Sequence, residues 1–124
     1  MGLESFKQLI VWQKSIDLVE EIYILTDHFP RHELYGLTSQ MRRSAISIAS
    51  NIAEGSKRKD IPEYLQFLRI ADGSSAELET QITIAKRIYP NMTYTKVDGL
   101  ITEVQKMLYQ MRVSLTSKRT GKYK

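Results

Sequence analysis

Between Ile61 and Tyr89 the apolar and small residues fall at Ile61, Tyr64, Leu68, Ala71, Ser75, Leu78, Ile82, Ala85 and Tyr89, an unbroken alternation of steps of three and four. Such steps return side chains to one side of an α-helix but scatter them over both faces of a strand. The segment therefore predicts one long helix with a single apolar stripe. A stripe of this length needs partners to cover it, so the rest of the chain has to supply them. Asp60-Ile61-Pro62-Glu63 marks its start, with an Asp to cap, a proline in the first turn and a glutamate at the capping-box position. Gly73, Ser74 and Ser75 interrupt the bulk of the stripe but not its period. They read as a close-packing notch, with a kink as the alternative. Pro90-Asn91 predicts a turn.

Three further stretches carry the same period. The first runs from about Phe6 to Phe29, with Ser5 and Gln8 as a capping box and Pro30 as its stop. It holds two stripes: Leu9, Trp12, Ile16, Val19 and Tyr23, and beside them Val11, Leu18, Ile22, Leu25 and Phe29. The second runs from about Glu33 to Gly55 on Leu34, Leu37, Met41, Ala45, Ile48 and Ile52, and its small residues Ser44, Ala45, Ser47, Ala49 and Ser50 predict close helix approach. Gly55 reads as its C-terminal stop. The fourth runs from Tyr94 or Lys96 to Leu115 on Val97, Ile101, Val104, Leu108, Met111 and Leu115, with Thr95 and Asp98 as a weaker cap. Four amphipathic helices with short connections predict an all-α fold, an antiparallel up-down-up-down four-helix bundle with crossing angles of roughly 20°. The expected division is a bundle domain over residues 1–116 and a basic flexible tail over 117–124. The double stripe of the first helix exceeds what one core covers, which predicts self-association.

The 124 residues suffice for a core without disulfide or metal, and the absence of cysteine excludes thiolate zinc sites, iron–sulfur clusters and cysteine nucleophiles. The longest fully apolar run is Leu9–Trp12, and the N-terminus lacks the pattern of a signal peptide. These features predict a soluble, cytoplasmic protein without membrane association. The net charge of +4 is unevenly spread: residues 112–124 hold Arg112, Lys118, Arg119, Lys122 and Lys124 with no acid, while residues 1–111 are close to neutral. A basic tail points to a polyanion partner or simply to solubility.

Catalytic patterns are scarce. His28 and His32 have the spacing of two helical metal ligands, but Pro30 between them breaks the helix that would align them. No nucleophile elbow, glycine-rich phosphate loop or Glu-x-x-His di-iron pattern is present. The expectation is a non-enzyme with no cofactor, no metal and no small-molecule substrate. The candidate binding residues are the cation clusters Arg42-Arg43 and Lys57-Arg58-Lys59. At the end of the second helix, Lys57–Lys59 either complement the helix dipole or form a phosphate-binding edge. Asn51 beside the apolar stripe reads as a residue fixing register, with ligand contact as the alternative.

Several longer motifs run through these stretches: Phe6-x-x-Leu9-x-Val11-Trp12-Gln13-Lys14; Phe29-Pro30-x-x-Glu33-x-Tyr35-Gly36-Leu37-Thr38-x-Gln40-x-Arg42-Arg43; Ser47-Ile48-x-x-Asn51-Ile52-Ala53-Glu54-Gly55; and Ala71-x-Gly73-Ser74-x-x-Glu77-Leu78. Over roughly residues 5–115 the chain resembles the four-helix bundle proteins encoded by intervening sequences of bacterial 23S ribosomal RNA genes. The resemblance implies a ring-shaped homopentamer and a role with structured RNA, with Arg42, Arg43 and Arg58 among the basic motif residues. It implies no catalytic residue. Two functions follow as expectations: an oligomeric nucleic-acid-binding bundle with RNA the favoured ligand, or a protein-interaction scaffold that does not touch nucleic acid. They differ in whether Arg42, Arg43 and Lys57–Lys59 share one exposed face.

Overall fold

The computed structural model describes residues 5–119. Among these the chain forms four α-helices and no strand: α1 (Ile10–Thr26), α2 (Leu37–Ser56), α3 (Ile61–Ile88) and α4 (Thr95–Arg119). Each helix packs on the next, and α4 returns to α1 to close the ring, giving the up-down-up-down bundle; α2 and α3 share the most extensive interface. The core is assembled from one stripe per helix. Leu18, Ile22, Met41, Ile48, Ile52, Leu68, Leu78, Val104 and Leu108 are sealed from solvent. In α1 the stripe of Val11, Leu18, Ile22 and Leu25 is buried, whereas the second stripe is only partly covered: Ile16 stays 40% and Tyr23 39% exposed.

The start of α3 matches expectation, with the Asp60 carboxylate accepting from the Glu63 N–H at 2.9 Å. Other boundaries differ. The first stretch breaks at Leu9 into a 3-10 turn (Phe6–Gln8) and α1, and the Ser5 hydroxyl caps that short turn through the Lys7 N–H. α1 ends at Thr26, three residues before Phe29, because Pro30 drives the preceding residue out of helical geometry and the chain needs a turn to arrive there. A second 3-10 turn (Arg31–Glu33) precedes α2, whose first turn is capped by Glu33: its Oε1 accepts from the Leu37 N–H at 3.1 Å. Asp98 does not form the expected cap with Thr95; it takes Lys86 Nζ at 2.7 Å across the α3–α4 interface.

Two glycines exchange roles. Gly55 does not stop α2, which continues to Ser56; it is buried, and a Cβ there would stand 2.9 Å from Phe67 Cβ and 3.0 Å from Tyr64 Cδ1. There α2 packs its backbone directly on the side chains of Tyr64 and Phe67 of α3. Gly73 is exposed, with nothing within 4 Å of a Cβ. The notch expected there is made by its neighbours: Ser74 Oγ meets Ser47 Oγ at 2.8 Å toward α2, and Ser75 Oγ accepts from Gln105 Nε2 at 3.3 Å toward α4. α3 runs through this point as one helix. Asn51 has the structural role, donating to the Ser47 carbonyl at 2.8 Å and to its hydroxyl at 3.1 Å. α4 extends to Arg119, beyond the expected boundary at 116, with Lys118 and Arg119 in the last turn where cations favour the helix C-terminus. The rest of the expected tail, 120–124, lies outside the described residues.

Candidate nucleic-acid interface

The five candidate cations do not form one edge. Arg42 and Arg43 are neighbours in sequence, so they point about 100° apart around α2. Arg42 turns toward α1: its Nε donates to Thr26 Oγ1 at 2.9 Å, a terminal nitrogen reaches Asp27 Oδ1 at 3.0 Å, and the guanidinium lies 4.3 Å from the Tyr23 ring centroid. With its side chain only 21% exposed, Arg42 is a clamp between two helices. Arg43 turns the other way, toward α3, is exposed, and pairs with no acid among the described residues. Both arginines lie about 20 Å along the α2 axis from Lys57–Lys59, at 1.5 Å per residue.

Lys57, Arg58 and Lys59 occupy the turn between α2 and α3, and all three are exposed. Arg58 is steered by two contacts: Glu54 at 3.4 Å, one helical turn back, and the face of Phe67 at 4.7 Å. Lys57 and Lys59 have no ion pair among the described residues. Antiparallel packing adds cations that the sequence did not group with them. The Lys86–Asp98 and Arg112–Asp72 pairs set the α3–α4 register. Continuing that register brings Lys118 and Arg119, at the end of α4, to the level of the first turns of α3. Lys57, Lys59, Lys118 and Arg119 therefore share one end of the bundle. The signal was present in the sequence as basic residues closing helices two and four, which an up-down topology places together.

Between α2 and α3, midway up the seam, Gln40, Arg43, Ser44, Ser47, Glu77 and Gln81 line a polar groove of about 380 Å³. Gln81 Oε1 is shut off from solvent and accepts no hydrogen bond within the described residues. A buried carbonyl left this way costs about 1–3 kcal/mol. The sequence alone does not bring Glu77 and Gln81 together with Arg43, because both look like flank positions of an exposed helix face. A second, mainly apolar hollow lies between α1 and the start of α4, lined by residues including Ile24, Leu25, Met92 and Val97.

The opposite end of the bundle holds a tight acid–phenol pair. Tyr89 Oη donates to Glu33 Oε2 at 2.5 Å. That bond, then the Leu37 N–H, holds the Glu33 carboxyl below its usual range against the opposing effect of burial. The same bond, with burial, pushes the Tyr89 phenol up to about 12. His28 and His32 do not converge: His28 Nδ1 meets the Ile24 carbonyl at 2.9 Å, and His32 lies 3.9 Å from Glu33. No cluster of three or more His, Asp or Glu side chains forms among the described residues, and none of the described helices is long and apolar enough to cross a membrane.

Comparison with known proteins agrees with this architecture. No curated protein matches the chain. A crystal structure of a protein of unknown function from the S23 ribosomal protein family of Bacteroides thetaiotaomicron superposes with a TM-score of 0.70, covering 83% of this chain and 98% of that one at 22% identity. At that identity the likeness shows the shared fold. The profile of the family described as 23S rRNA-intervening sequence protein matches residues 7–110, most of the bundle from the first 3-10 turn into the third quarter of α4. The chain belongs to the 23S rRNA-intervening sequence protein family.

Proposed function

We propose that the protein is a non-enzymatic, cytoplasmic, oligomeric bundle that binds structured RNA through its basic end and through Arg43. The observation that carries this reading is the gathering of Lys57, Lys59, Lys118 and Arg119 at one end of the bundle, exposed and without acid partners among the described residues, next to the steered guanidinium of Arg58. Side chains of this kind neutralise phosphates and release counterions. Arg42 stands apart from this set because its hydrogen bonds already commit it to α1. The half-open row of Trp12, Ile16, Val19 and Tyr23 on α1 supports self-association, and we take a homopentamer as the assembly. A ring multiplies each subunit's few phosphate contacts.

The test is mobility-shift binding with structured RNA, duplex DNA and heparin, with light scattering on the same samples. RNA affinity is expected to fall with salt by roughly 0.7–0.9 log units per log unit for each phosphate neutralised. The pair Lys57→Gln with Lys59→Gln should flatten that slope, while Arg42→Gln should leave it unchanged. Absence of RNA binding at low salt replaces this reading with the scaffold function, and a monomeric mass at micromolar concentration removes the ring.

A further inference from the structure

The outer faces of α1 and α3 are uncovered and complementary, and the inference drawn from them rests on the self-association put forward above. α1 and α3 lie diagonally across the bundle, each packed on α2 and α4 and not on the other, so their outer faces point away from each other. On α1 the exposed line carries Ile10, Ile16, Asp17, Glu20, Tyr23 and Ile24. Ile10 is 56% and Ile24 50% exposed, and neither Asp17 nor Glu20 has an ion pair among the described residues. In the C-terminal half of α3 the exposed line carries Thr80, Thr83, Ile84, Arg87 and Ile88. Ile84 is 43% and Ile88 55% exposed, and Arg87 has no ion pair among the described residues. The nearby Glu79 is turned to α4, where it accepts from Gln105 Nε2 at 3.0 Å. Each line thus joins bare isoleucines to uncompensated charge, acidic on α1 and cationic on α3. Contiguous exposed apolar residues of this kind mark a contact surface.

Ion pairs inside the bundle fix the heights of the two lines. Lys14–Glu103 and Glu21–Lys96 tie α1 to α4, and Lys86–Asp98 and Arg112–Asp72 tie α4 to α3. Carried through α4, these pairs set Asp17 level with Ile84, Glu20 with Arg87 and Glu21 with Ile88. α1 and α3 also run in the same direction in an up-down-up-down bundle. A second copy turned about an axis parallel to the helices, without sliding, therefore brings α1 of one chain beside α3 of the next. Glu20 then faces Arg87, and Ile84 and Ile88 fall between Ile16 and Ile24. Glu77, the acid further down the α3 line, is level with Ile10 and about 10 Å along the axis from Asp17. A contact of α1 on α1 would instead set Asp17 and Glu20 against their own copies with no cation between them, which like charges disfavour. The exposed apolar residues of α4, Tyr109 and Val113, lie beyond the Ile10 end of α1 in the same register. We propose that the outer face of α1 docks head-to-tail on the outer face of α3 of a second copy, with Glu20 paired to Arg87 across the contact. The two surfaces differ and the operator is a rotation without translation, so the contact closes a ring rather than extending a filament.

The experiment is light scattering with chromatography on the full chain without RNA, with circular dichroism to check that each variant keeps its helix content. Ile16→Glu disables only the α1 face and Ile84→Glu only the α3 face, both at exposed positions. Each variant alone is expected at the mass of one chain, at a concentration where wild type is a multimer. Their equimolar mixture is expected at twice the chain mass, because each retains the face that the other has lost. A mixture that stays at the mass of one chain overturns the head-to-tail contact. Charge reversal at two other exposed positions tests the ion pair independently, whatever the isoleucine variants do to the fold. Glu20→Arg should raise the dissociation constant of the assembly by about tenfold, and adding Arg87→Glu to the same chain should return it to within about threefold of wild type. A double variant as weak as Glu20→Arg alone removes α3 as the partner of α1 and overturns the proposal. If wild type is a multimer whose mass neither isoleucine variant changes, self-association stands and these faces are not its contact. If wild type is a single chain at micromolar concentration, the self-association reading fails and this contact fails with it.

Discussion

Replacing each of two helical glycines with alanine should move stability in opposite directions. In a helix interior alanine is favoured over glycine by about 1 kcal/mol; Gly73 lies mid-way along α3 and takes this gain, whereas Gly55, one residue from the end of α2, takes at most as much. At Gly73 nothing lies within 4 Å of the new methyl group, so Gly73→Ala should realise the gain in full. At Gly55 the methyl would stand 2.9 Å from Phe67 Cβ and 3.0 Å from Tyr64 Cδ1. The tyrosine ring can swing, but Phe67 Cβ is tied to the α3 backbone, so relief requires α2 and α3 to part by several tenths of an ångström. Overpacking of this kind costs about 1–3 kcal/mol, leaving Gly55→Ala less stable than wild type by about 1 kcal/mol. The two variants should then differ by about 2 kcal/mol, on the order of 8 °C in melting midpoint for a chain of this size. Urea and thermal unfolding at one fixed protein concentration measures both. If Gly55→Ala is as stable as Gly73→Ala, the helices do not approach through Gly55 and the packing argument is wrong.

Three further outcomes follow from the structure. Because Glu33 is held below its usual range, its contribution is present above pH 4.5 and is lost as pH falls through its lowered folded value; Glu33→Gln should reduce this acid loss in urea midpoints measured against pH. Tyr89 is raised from 10.0 to about 12, so its contribution is present below pH 10 and lost as pH rises toward 12, and Tyr89→Phe should remove that alkaline loss together with a late-titrating phenolate in the ultraviolet spectrum. Arg42→Met should cost about 1–2 kcal/mol by leaving Thr26 and Asp27 without their donor, whereas Arg43→Gln should leave the urea midpoint within about 0.5 kcal/mol of wild type. Ala45→Phe, at a position with no solvent exposure, should lose about 1–3 kcal/mol, and an unchanged midpoint would show that the α2 stripe has been misassigned.

The helix stripes and the Asp60 cap were legible because each depends on residues within a turn or two of one another. Gly55 and Gly73 were misjudged for the opposite reason. A glycine near a helix end fits a stop and a close contact equally well, and what decides is Tyr64 and Phe67 on another helix. The candidate site was legible as residue types but not as an arrangement. Arg42 and Arg43 are indistinguishable in a linear pattern, and only the position of α1 on one side of α2 and α3 on the other assigns them different partners. Glu77 and Gln81 sit one and three residues from Leu78 on the flank of its stripe, where a polar residue signals nothing until the facing helix is known. The coherence of Lys57, Lys59, Lys118 and Arg119 needed the up-down topology as well as the charges.

The ring of helices has one seam unlike the others. Three of its four interfaces join consecutive helices, so their contacts span short stretches of chain, while α1 and α4 meet from opposite ends of the sequence through pairs such as Lys14–Glu103 at 3.5 Å and Glu21–Lys96 at 4.0 Å. Bringing distant segments together carries the larger loop-closure cost, and local hairpins form without it. The α1–α4 seam is therefore expected to close after the folding barrier and to open first on unfolding. Substitutions along it should accelerate unfolding and leave refolding nearly untouched, whereas substitutions between α2 and α3 should slow refolding. Amide exchange should follow the same division, with protection lowest along the outer flank of α1 and highest in the middle of α3.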